Sequence, residues 1–175
     1  IGVDLDVAEV VASEAAAGEV CVVANDNTTG QLVLSGSTGA ITRALKIAKG
    51  KGVKRCILLP VSAPFHCELM APAADVVQGV LDTIRFEIPS VPIISNVTAT
   101  PEKDPGKLKN LLVEQVTSRV RWRESILRMK KLGVETFVEV GSGKVLTGMV
   151  RRIDRGLTGF SIQSPNDIDR FASVI

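Results

Sequence analysis

The order of helical and strand patterns limits the folds open to this chain more than any other feature of its sequence. The first 60 residues predict a helix, two strands, a second helix and a third strand, in the order 4–17, 20–24, 31–36, 38–49 and 53–59. The polar run between the first two strands predicts a hairpin turn. This order lacks only a leading strand to complete a β-α-β-β-α-β unit, and we interpret residues 1–3 as the end of that strand.

From residue 60 onward, helices alternate with short strands. Helical patterns cover 67–84, 106–116, 122–131, 144–155 and 165–174, and strand patterns cover 91–96, 134–140 and 159–162. Such alternation indicates an α/β layer with a parallel sheet. We therefore predict a small subdomain over 1–60 and a larger α/β portion over 61–175.

The composition argues against several classes of function. Aromatic residues make up 3% of the chain, too few for a nucleic-acid module that stacks bases on exposed rings. No apolar run approaches the ~20 residues that span a bilayer. The three cysteines, Cys21, Cys56 and Cys67, show no C-x-x-C spacing. They therefore argue against a structural zinc site and favour reduced thiols in the cytoplasm.

Positive charge is concentrated in the second half of the chain. The net charge is only +2, but residues 101–155 hold thirteen basic and seven acidic side chains. Arg119, Arg121 and Arg123 alternate with apolar residues, as in an extended stretch with one charged face. Such a face is either solvated or a dock for an acidic protein or a phosphorylated ligand, and the sequence leaves both open.

His66 is the only histidine and lies on the predicted loop between the strand 53–59 and the helix 67–84. Rigid scaffolds often hold catalytic side chains on such loops, although a single histidine is more often structural. Cys67 could form a thiol–imidazole pair with it, but adjacent residues point in different directions. We interpret Cys67 as a small buried side chain.

Two motifs of well-known chemistry are incomplete. The turn Gly141-Ser142-Gly143-Lys144 lies between a predicted strand and helix but lacks the G-x-x-x-x-G-K-[ST] pattern of a P-loop. Its glycines favour a tight turn, although amides at a helix N-terminus can also hold an anion. No serine has glycine two places before and after it, so the chain contains no serine-nucleophile elbow.

Five segments together resemble bacterial malonyl-CoA:acyl carrier protein transacylases. They are 60–70 around His66, 25–36 with Asn25 and Asn27, 91–97 with Asn96, Gln115 followed by 120–122, and 139–148. They occur in the family's order at plausible spacings and cover nearly the whole chain. The resemblance is therefore far more specific than any single segment would be.

The resemblance implies a fold and a reaction. The fold is a ferredoxin-like subdomain inserted into a larger α/β-hydrolase-like one, with 1–60 as the small subdomain and 61–175 as the C-terminal part of the large one. The reaction transfers malonyl from malonyl-CoA to the phosphopantetheine thiol of acyl carrier protein, through an acyl-serine intermediate in fatty acid biosynthesis. No cofactor, metal, membrane or nucleic acid is expected, and the full-length enzyme is expected to be a cytoplasmic monomer.

The resemblance also implies roles for individual residues. His66 is the general base, and Gln115 orients its imidazole through the backbone carbonyl. Asn25, Asn27 and Asn96 line the substrate site, and Phe65 crowds an α-methyl branch, which favours malonyl over methylmalonyl. The acidic carrier protein is expected to dock on the basic region formed by Arg119, Arg121, Arg123, Arg151 and Arg152.

The sequence departs from the family in one respect. The serine elbow, the arginine that pairs with the malonyl carboxylate and part of the oxyanion hole lie upstream of the segments matched here. Since the chain starts at Ile1, we expect a missing N-terminal part and no activity from these residues alone. Two alternatives are a non-catalytic module that docks acyl carrier protein and an acyltransferase domain of a polyketide synthase.

Overall fold

The computed structural model describes residues 1–173 and follows the predicted order of elements through the first 50 residues. Helix α1 (Leu5–Ala16) precedes the antiparallel strands β1 (Cys21–Thr28) and β2 (Gln31–Gly36), and helix α2 (Thr38–Gly50) follows them. Small side chains fill the core between these elements: Val11, Ala12, Ala15, Cys21, Ala40, Ala44 and Ala48. Their size lets α1 and α2 pack closely together and against the hairpin.

The hairpin turn is shorter than the sequence predicted. We expected a turn over 25–30, but β1 continues to Thr28, and Thr29 and Gly30 alone connect it to Gln31. Backbone hydrogen bonds explain the extension: the N–H of Val120 donates to Ala24 O at 2.8 Å, and the N–H of Asp26 donates to Val120 O at 2.9 Å. A polar run stays extended here because strand-like partners lie on both of its edges.

The strand predicted over 53–59 is wrong, because these residues pair with no other strand in the described chain. Ile57, Leu58 and Leu59 are 51%, 70% and 47% exposed. An apolar run forms a strand only where a neighbouring backbone satisfies its N–H and C=O groups. The apolar run at 56–59 is therefore exposed, and no backbone in the described chain completes a strand with it.

The middle of the chain is mainly helical. A 3₁₀ turn, Glu68–Met70, leads into α3 (Ala71–Asp82), which packs against α4 (Pro105–Thr117). The strand predicted over 91–96 is reduced to β3 (Ile93–Ile94), which pairs antiparallel with β4 (Pro101–Glu102). Helix α5 (Trp122–Lys131) has the predicted bounds.

The chain divides into two compact units, Ile1–Ser125 and the residues from Ile126 onward. In the second unit β5 (Thr136–Val140) and β6 (Thr158–Ile162) pair in parallel through the crossover helix α6 (Val145–Ile153). The predicted parallel pairing is therefore confirmed, in a two-stranded sheet. Helix α7 (Pro165–Ala172) begins with a capping box between Ser164 and Asp167; residue 174 of its predicted range lies outside the described residues. No helix within 1–173 has the length and apolar character needed to cross a membrane.

Candidate active site

The imidazole of His66 is hydrogen-bonded to the backbone carbonyl of Gln115, with 2.9 Å between Nδ1 and O. A carbonyl oxygen can only accept, so Nδ1 carries the proton and Nε2 keeps its lone pair. His66 itself has a φ of +60°, which is uncommon for a residue other than glycine. Backbone in this region is held by its surroundings and is frequent at functional sites.

Cys67 follows His66 in the sequence and fixes the loop that carries it. Its side chain is 1% exposed, and its thiol donates to Pro64 O at 3.1 Å and accepts from Ser35 Oγ at 3.9 Å. The prediction of a buried side chain is confirmed. Because the thiol contacts Pro64 and Ser35, its role here is to anchor the loop against β2.

The backbone carbonyl of Gln115 can accept from His66 because it lies at the C-terminal end of α4. The last four carbonyls of a helix lack an intrahelical partner, and Gln115 lies in the last turn of α4. At the other end, the carboxylate of Asp104 caps the helix by accepting from the N–H of Lys107 at 2.7 Å. The side-chain amide of Gln115 donates to Ser118 O at 3.2 Å. The backbone of Gln115, not its side chain, therefore contacts the imidazole.

His66 lines an open depression of about 440 Å³ in the first unit. Its other lining residues are Glu9, Ala12, Ser13, Cys21, Val22, Val23, Thr117 and Arg119. Burial raises the pKa of the Cys21 thiol above its ordinary value of 9.0. That thiol is therefore protonated at neutral pH and is a poor nucleophile. Phe65 is 46% exposed and is not among the lining residues.

Two of the three asparagines contact the segment that follows Gln115. Asn25 forms a bridge with Val120, and the carbonyl of Asn96 accepts from the N–H of Arg121 at 2.9 Å. Their half-buried carboxamides, and that of Asn27, hydrogen-bond to no described residue. None of the three lines the depression beside His66. The backbones of Asn25 and Asn96 thus contact two adjacent residues, Val120 and Arg121. The structure does not bring their carboxamides to the imidazole of His66.

Each of the three alternating arginines is paired with a carboxylate. Arg119 contacts Glu9 at 2.7 Å, Arg121 makes two hydrogen bonds to Glu124 at 2.9 and 2.6 Å, and Arg123 contacts Asp26 at 2.7 Å. The hydrogen bond from Arg121 holds the pKa of Glu124 below its ordinary value of 4.5. The sequence analysis identified none of the three partners, although Glu124 lies in the first turn of α5, three residues after Arg121.

Asp26 is a buried charged residue of β1 that the sequence analysis did not identify. Its side chain is 1% exposed, and both carboxylate oxygens accept from Arg123, at 3.0, 3.0 and 2.7 Å. The available signal was an acidic residue between two asparagines, because successive residues of a strand point to opposite faces; in the structure Asp26 is buried and Asn25 and Asn27 are half-buried. Asp26 therefore fixes which face of β1 presents the two asparagines.

The glycine turn of the second unit is structural. Gly141 and Gly143 have φ values of +138° and +97°, as a tight turn requires. The carboxylate of Glu139 accepts from the N–H of Leu146 at 3.2 Å and from the N–H and hydroxyl of Thr147, each at 2.8 Å. The N–H groups of Leu146 and Thr147 at the start of α6, which could otherwise hold an anion, thus donate to the protein's own carboxylate. No group of three or more metal-ligating side chains occurs in residues 1–173.

Comparison with known proteins identifies close relatives of this chain. It is 42% identical over 152 residues to the malonyl CoA-acyl carrier protein transacylase of Bacillus subtilis strain 168, over 87% of this chain and 48% of the relative. Its structure matches the acyl-carrier-protein-S-malonyltransferase of Bartonella henselae at 45% identity and a TM-score of 0.94, over 99% of this chain and 55% of the other.

A third comparison involves a structure that contains a partner. A malonyl-transacylase in complex with its type II PKS acyl-carrier protein matches at 34% identity and a TM-score of 0.95, over all of this chain and 57% of the transacylase. No family model matches the sequence. The chain spans about half the length of the curated relatives it matches.

Proposed function

This chain is homologous over most of its length to the malonyl CoA-acyl carrier protein transacylases, and from that premise we propose that it supplies the general base of a malonyl transfer. The proposed reaction moves malonyl from coenzyme A to the phosphopantetheine thiol of acyl carrier protein, through an acyl-serine intermediate. The contact between His66 Nδ1 and Gln115 O carries the proposal, because it leaves Nε2 of the imidazole free to accept a proton.

The proposed mechanism uses the imidazole twice. Nε2 takes the proton of the serine hydroxyl while the serine oxygen attacks the malonyl thioester. It then gives that proton to the departing coenzyme A thiolate. When the thiol of the carrier protein attacks the acyl-serine, Nε2 takes the thiol proton and returns it to the serine oxygen. Nδ1–H stays bonded to Gln115 O throughout, which fixes the ring orientation and stabilises the imidazolium.

Four further side chains are proposed to bind the substrate. The carboxamides of Asn25, Asn27 and Asn96 have no partner among the described residues and are available to hydrogen-bond substrate oxygens. Phe65 precedes the base and, at 46% exposure, has room to contact a bound acyl group. We propose that its ring disfavours an α-methyl branch and so selects malonyl.

The acidic carrier protein is proposed to dock on basic side chains. The relative that was solved with its acyl-carrier protein supports a partner of this kind. Arg119, Arg121 and Arg123 are each paired with a carboxylate, and Arg152 on α6 donates to Gly148 O at 3.1 Å. Arg151 is exposed on the same helix. We therefore propose Arg151 as the first contact of the carrier protein among the basic residues predicted from the sequence, Arg119, Arg121, Arg123, Arg151 and Arg152.

The finer description of the protein is proposed on the same homology. It comprises a ferredoxin-like small subdomain over 1–60 and the C-terminal part of an α/β-hydrolase-like subdomain over 61–175. We also propose that the full-length enzyme is a monomer, is located in the cytoplasm and needs no cofactor. The mixed α/β fold with small sheets is common to the chain and its structural relatives.

Replacement of His66 tests the proposed reaction. The chain would be joined to the unmatched N-terminal part of the Bacillus subtilis relative, and transfer of labelled malonyl to carrier protein would be measured. His66→Ala is expected to slow acylation and transfer by about 10²- to 10⁴-fold, whereas Glu68→Gln on the adjacent exposed turn leaves both rates unchanged. Near-normal single-turnover acylation in His66→Ala would refute the assignment.

A further inference from the structure

Residues 115–123 form a linking segment that contacts three parts of the first unit. The segment runs from the last turn of α4 to the first turn of α5. Near its start, Gln115 O is hydrogen-bonded to His66 Nδ1 at 2.9 Å. Further along, Val120 pairs with β1, and the N–H of the next residue donates to Asn96 O at 2.9 Å. The linking segment thus joins the imidazole to β1 and to the loop that carry the candidate asparagines.

The part of β1 that carries Asn25 and Asn27 is irregular. Its register with β2 shifts between Val23 and Asn25 and again between Asp26 and Thr28. Such irregularities bend a strand and redirect its side chains, and they are frequent next to active sites. The pairing with β2 alone therefore does not determine the direction of the two carboxamides.

Asp26 lies between the two register shifts and is held by the linking segment. Its side chain is 1% exposed, and Nε and a terminal nitrogen of Arg123 donate to the carboxylate at 3.0, 3.0 and 2.7 Å. A guanidinium that donates through two nitrogens fixes the direction of a carboxylate as well as its distance. The hydrogen bond from the N–H of Asp26 to Val120 O, at 2.9 Å, adds a backbone restraint at the same residue. Asp26 is therefore the point at which the linking segment fixes this part of β1.

The position of Asp26 constrains its two neighbours. Successive residues of a strand point to opposite faces, and Asn25 and Asn27 are half-buried where Asp26 is buried. Rotation of this part of β1 would withdraw the buried carboxylate from Arg123, which costs more than separating an exposed ion pair. With Asp26 fixed, the two carboxamides stay on the opposite face of the strand.

We propose that Asp26 and Arg123 are positioning residues of the malonyl transfer, which hold the carboxamides of Asn25 and Asn27 in the orientation that binds substrate. This inference rests on the proposed function. It predicts an effect on substrate binding and not on proton transfer, because the pair fixes β1 whereas the imidazole is bonded to Gln115 O. It also gives Arg123 a role other than the docking contact expected from the sequence.

Replacement of the ion pair by an apolar pair tests the proposal. The apolar-pair variant combines Asp26→Leu with Arg123→Met and removes both charges at once, so no buried charge is left unpaired and the fold is retained. The chain would be joined to the unmatched N-terminal part of the Bacillus subtilis relative, and single-turnover acylation by malonyl-CoA would be measured without carrier protein. We expect the malonyl-CoA concentration at half-maximal rate to rise about threefold to tenfold, as for one lost hydrogen bond. The maximal rate should change by less than about twofold, because a uniform loss of binding does not alter it.

Two further variants identify the path of the effect. Asn25→Ala should raise the same concentration in the parent protein and add little in the apolar-pair variant, because the carboxamide is already displaced there. Glu14→Gln with Lys51→Met is the matched control, since it removes an ion pair of 2.8 Å between α1 and the end of α2 in the same unit. It should leave both the concentration and the maximal rate unchanged.

Arg123→Lys covers the case in which the apolar-pair variant does not fold. It keeps the carboxylate paired but loses the two-nitrogen geometry, so it should raise the half-maximal concentration in the same direction. Three results would overturn the proposal: an unchanged concentration in either folded variant, an Asn25→Ala effect that is absent from the parent or fully additive, and a slowing confined to transfer to carrier protein. The last result would make Arg123 a docking residue. The proposed function fails separately, through near-normal acylation in His66→Ala.

Discussion

At the scale of single residues, the geometry of one imidazole decides what chemistry is possible. The contact with Gln115 O makes Nδ1 the donor, and the φ of +60° aims the side chain from a loop that the buried thiol of Cys67 anchors. The orientation of the imidazole thus depends on the anchored backbone around Cys67 as well as on the presence of a histidine at position 66. Sequence reasoning identified His66 and Gln115 from resemblance, and no local pattern would have joined residues 49 apart.

The tautomer of His66 can be measured without any activity. Since the chain has a single histidine, the nitrogen-15 signals of its ring are unambiguous. We expect Nδ1 protonated and Nε2 unprotonated in the neutral ring. Gln115→Ala should leave that tautomer unchanged, because the contact uses the backbone carbonyl. A neutral ring protonated on Nε2, or a tautomer that switches in Gln115→Ala, would contradict this geometry.

Two arginines of similar appearance in the sequence should differ in their effect on stability. Asp26 is 1% exposed, so Arg123→Ala leaves a buried carboxylate without its partner and is expected to cost about 3–5 kcal/mol. Glu9 is 51% exposed, so Arg119→Ala is expected to cost at most about 1 kcal/mol. Urea unfolding followed by the fluorescence of Trp122 would measure both. Equal losses would mean that Asp26 is solvated in solution.

At the scale of elements, helices were predicted more successfully than strands, for a physical reason. A helix satisfies its own backbone, so the periodic residues of α2, α4 and α5 nearly determined their bounds. A strand depends on a partner distant in the sequence. The run 53–59 therefore failed to pair although its residues favour a strand, and the polar second half of β1 became a strand because Val120 pairs with it.

The start of α6 depends on a single side chain in the preceding strand. Burial raises the pKa of Glu139, but hydrogen bonds from Thr147 and Leu146 outweigh it, so the pKa lies below its ordinary value of 4.5. Glu139→Ala is expected to cost about 1 kcal/mol at pH 7.

The sign of the pH dependence follows from that lowered pKa. Glu139 stabilises the fold above pH 4.5 and loses this effect as the pH falls through the folded pKa, so the difference between Glu139→Ala and the unchanged chain should shrink below pH 4.5. Urea unfolding followed by circular dichroism at pH 7 and pH 3.5 would measure it. Glu135→Ala, at an exposed position nearby, is the control and should change stability by less than about 0.5 kcal/mol at either pH. If the difference in unfolding free energy between Glu139→Ala and the unchanged chain were larger at pH 3.5 than at pH 7, the capping role of Glu139 would be contradicted.

At the scale of the whole molecule, stability is distributed unevenly. The alanine-rich core of α1, β1, β2 and α2 is buried, whereas 53–65 has few hydrogen bonds and α3 has no buried residue. Regions with exposed backbone and few apolar contacts open at low free energy, while core elements open only with global unfolding. We therefore expect amide hydrogen exchange in 53–65 to be at least about 100-fold faster than in β1 and α2.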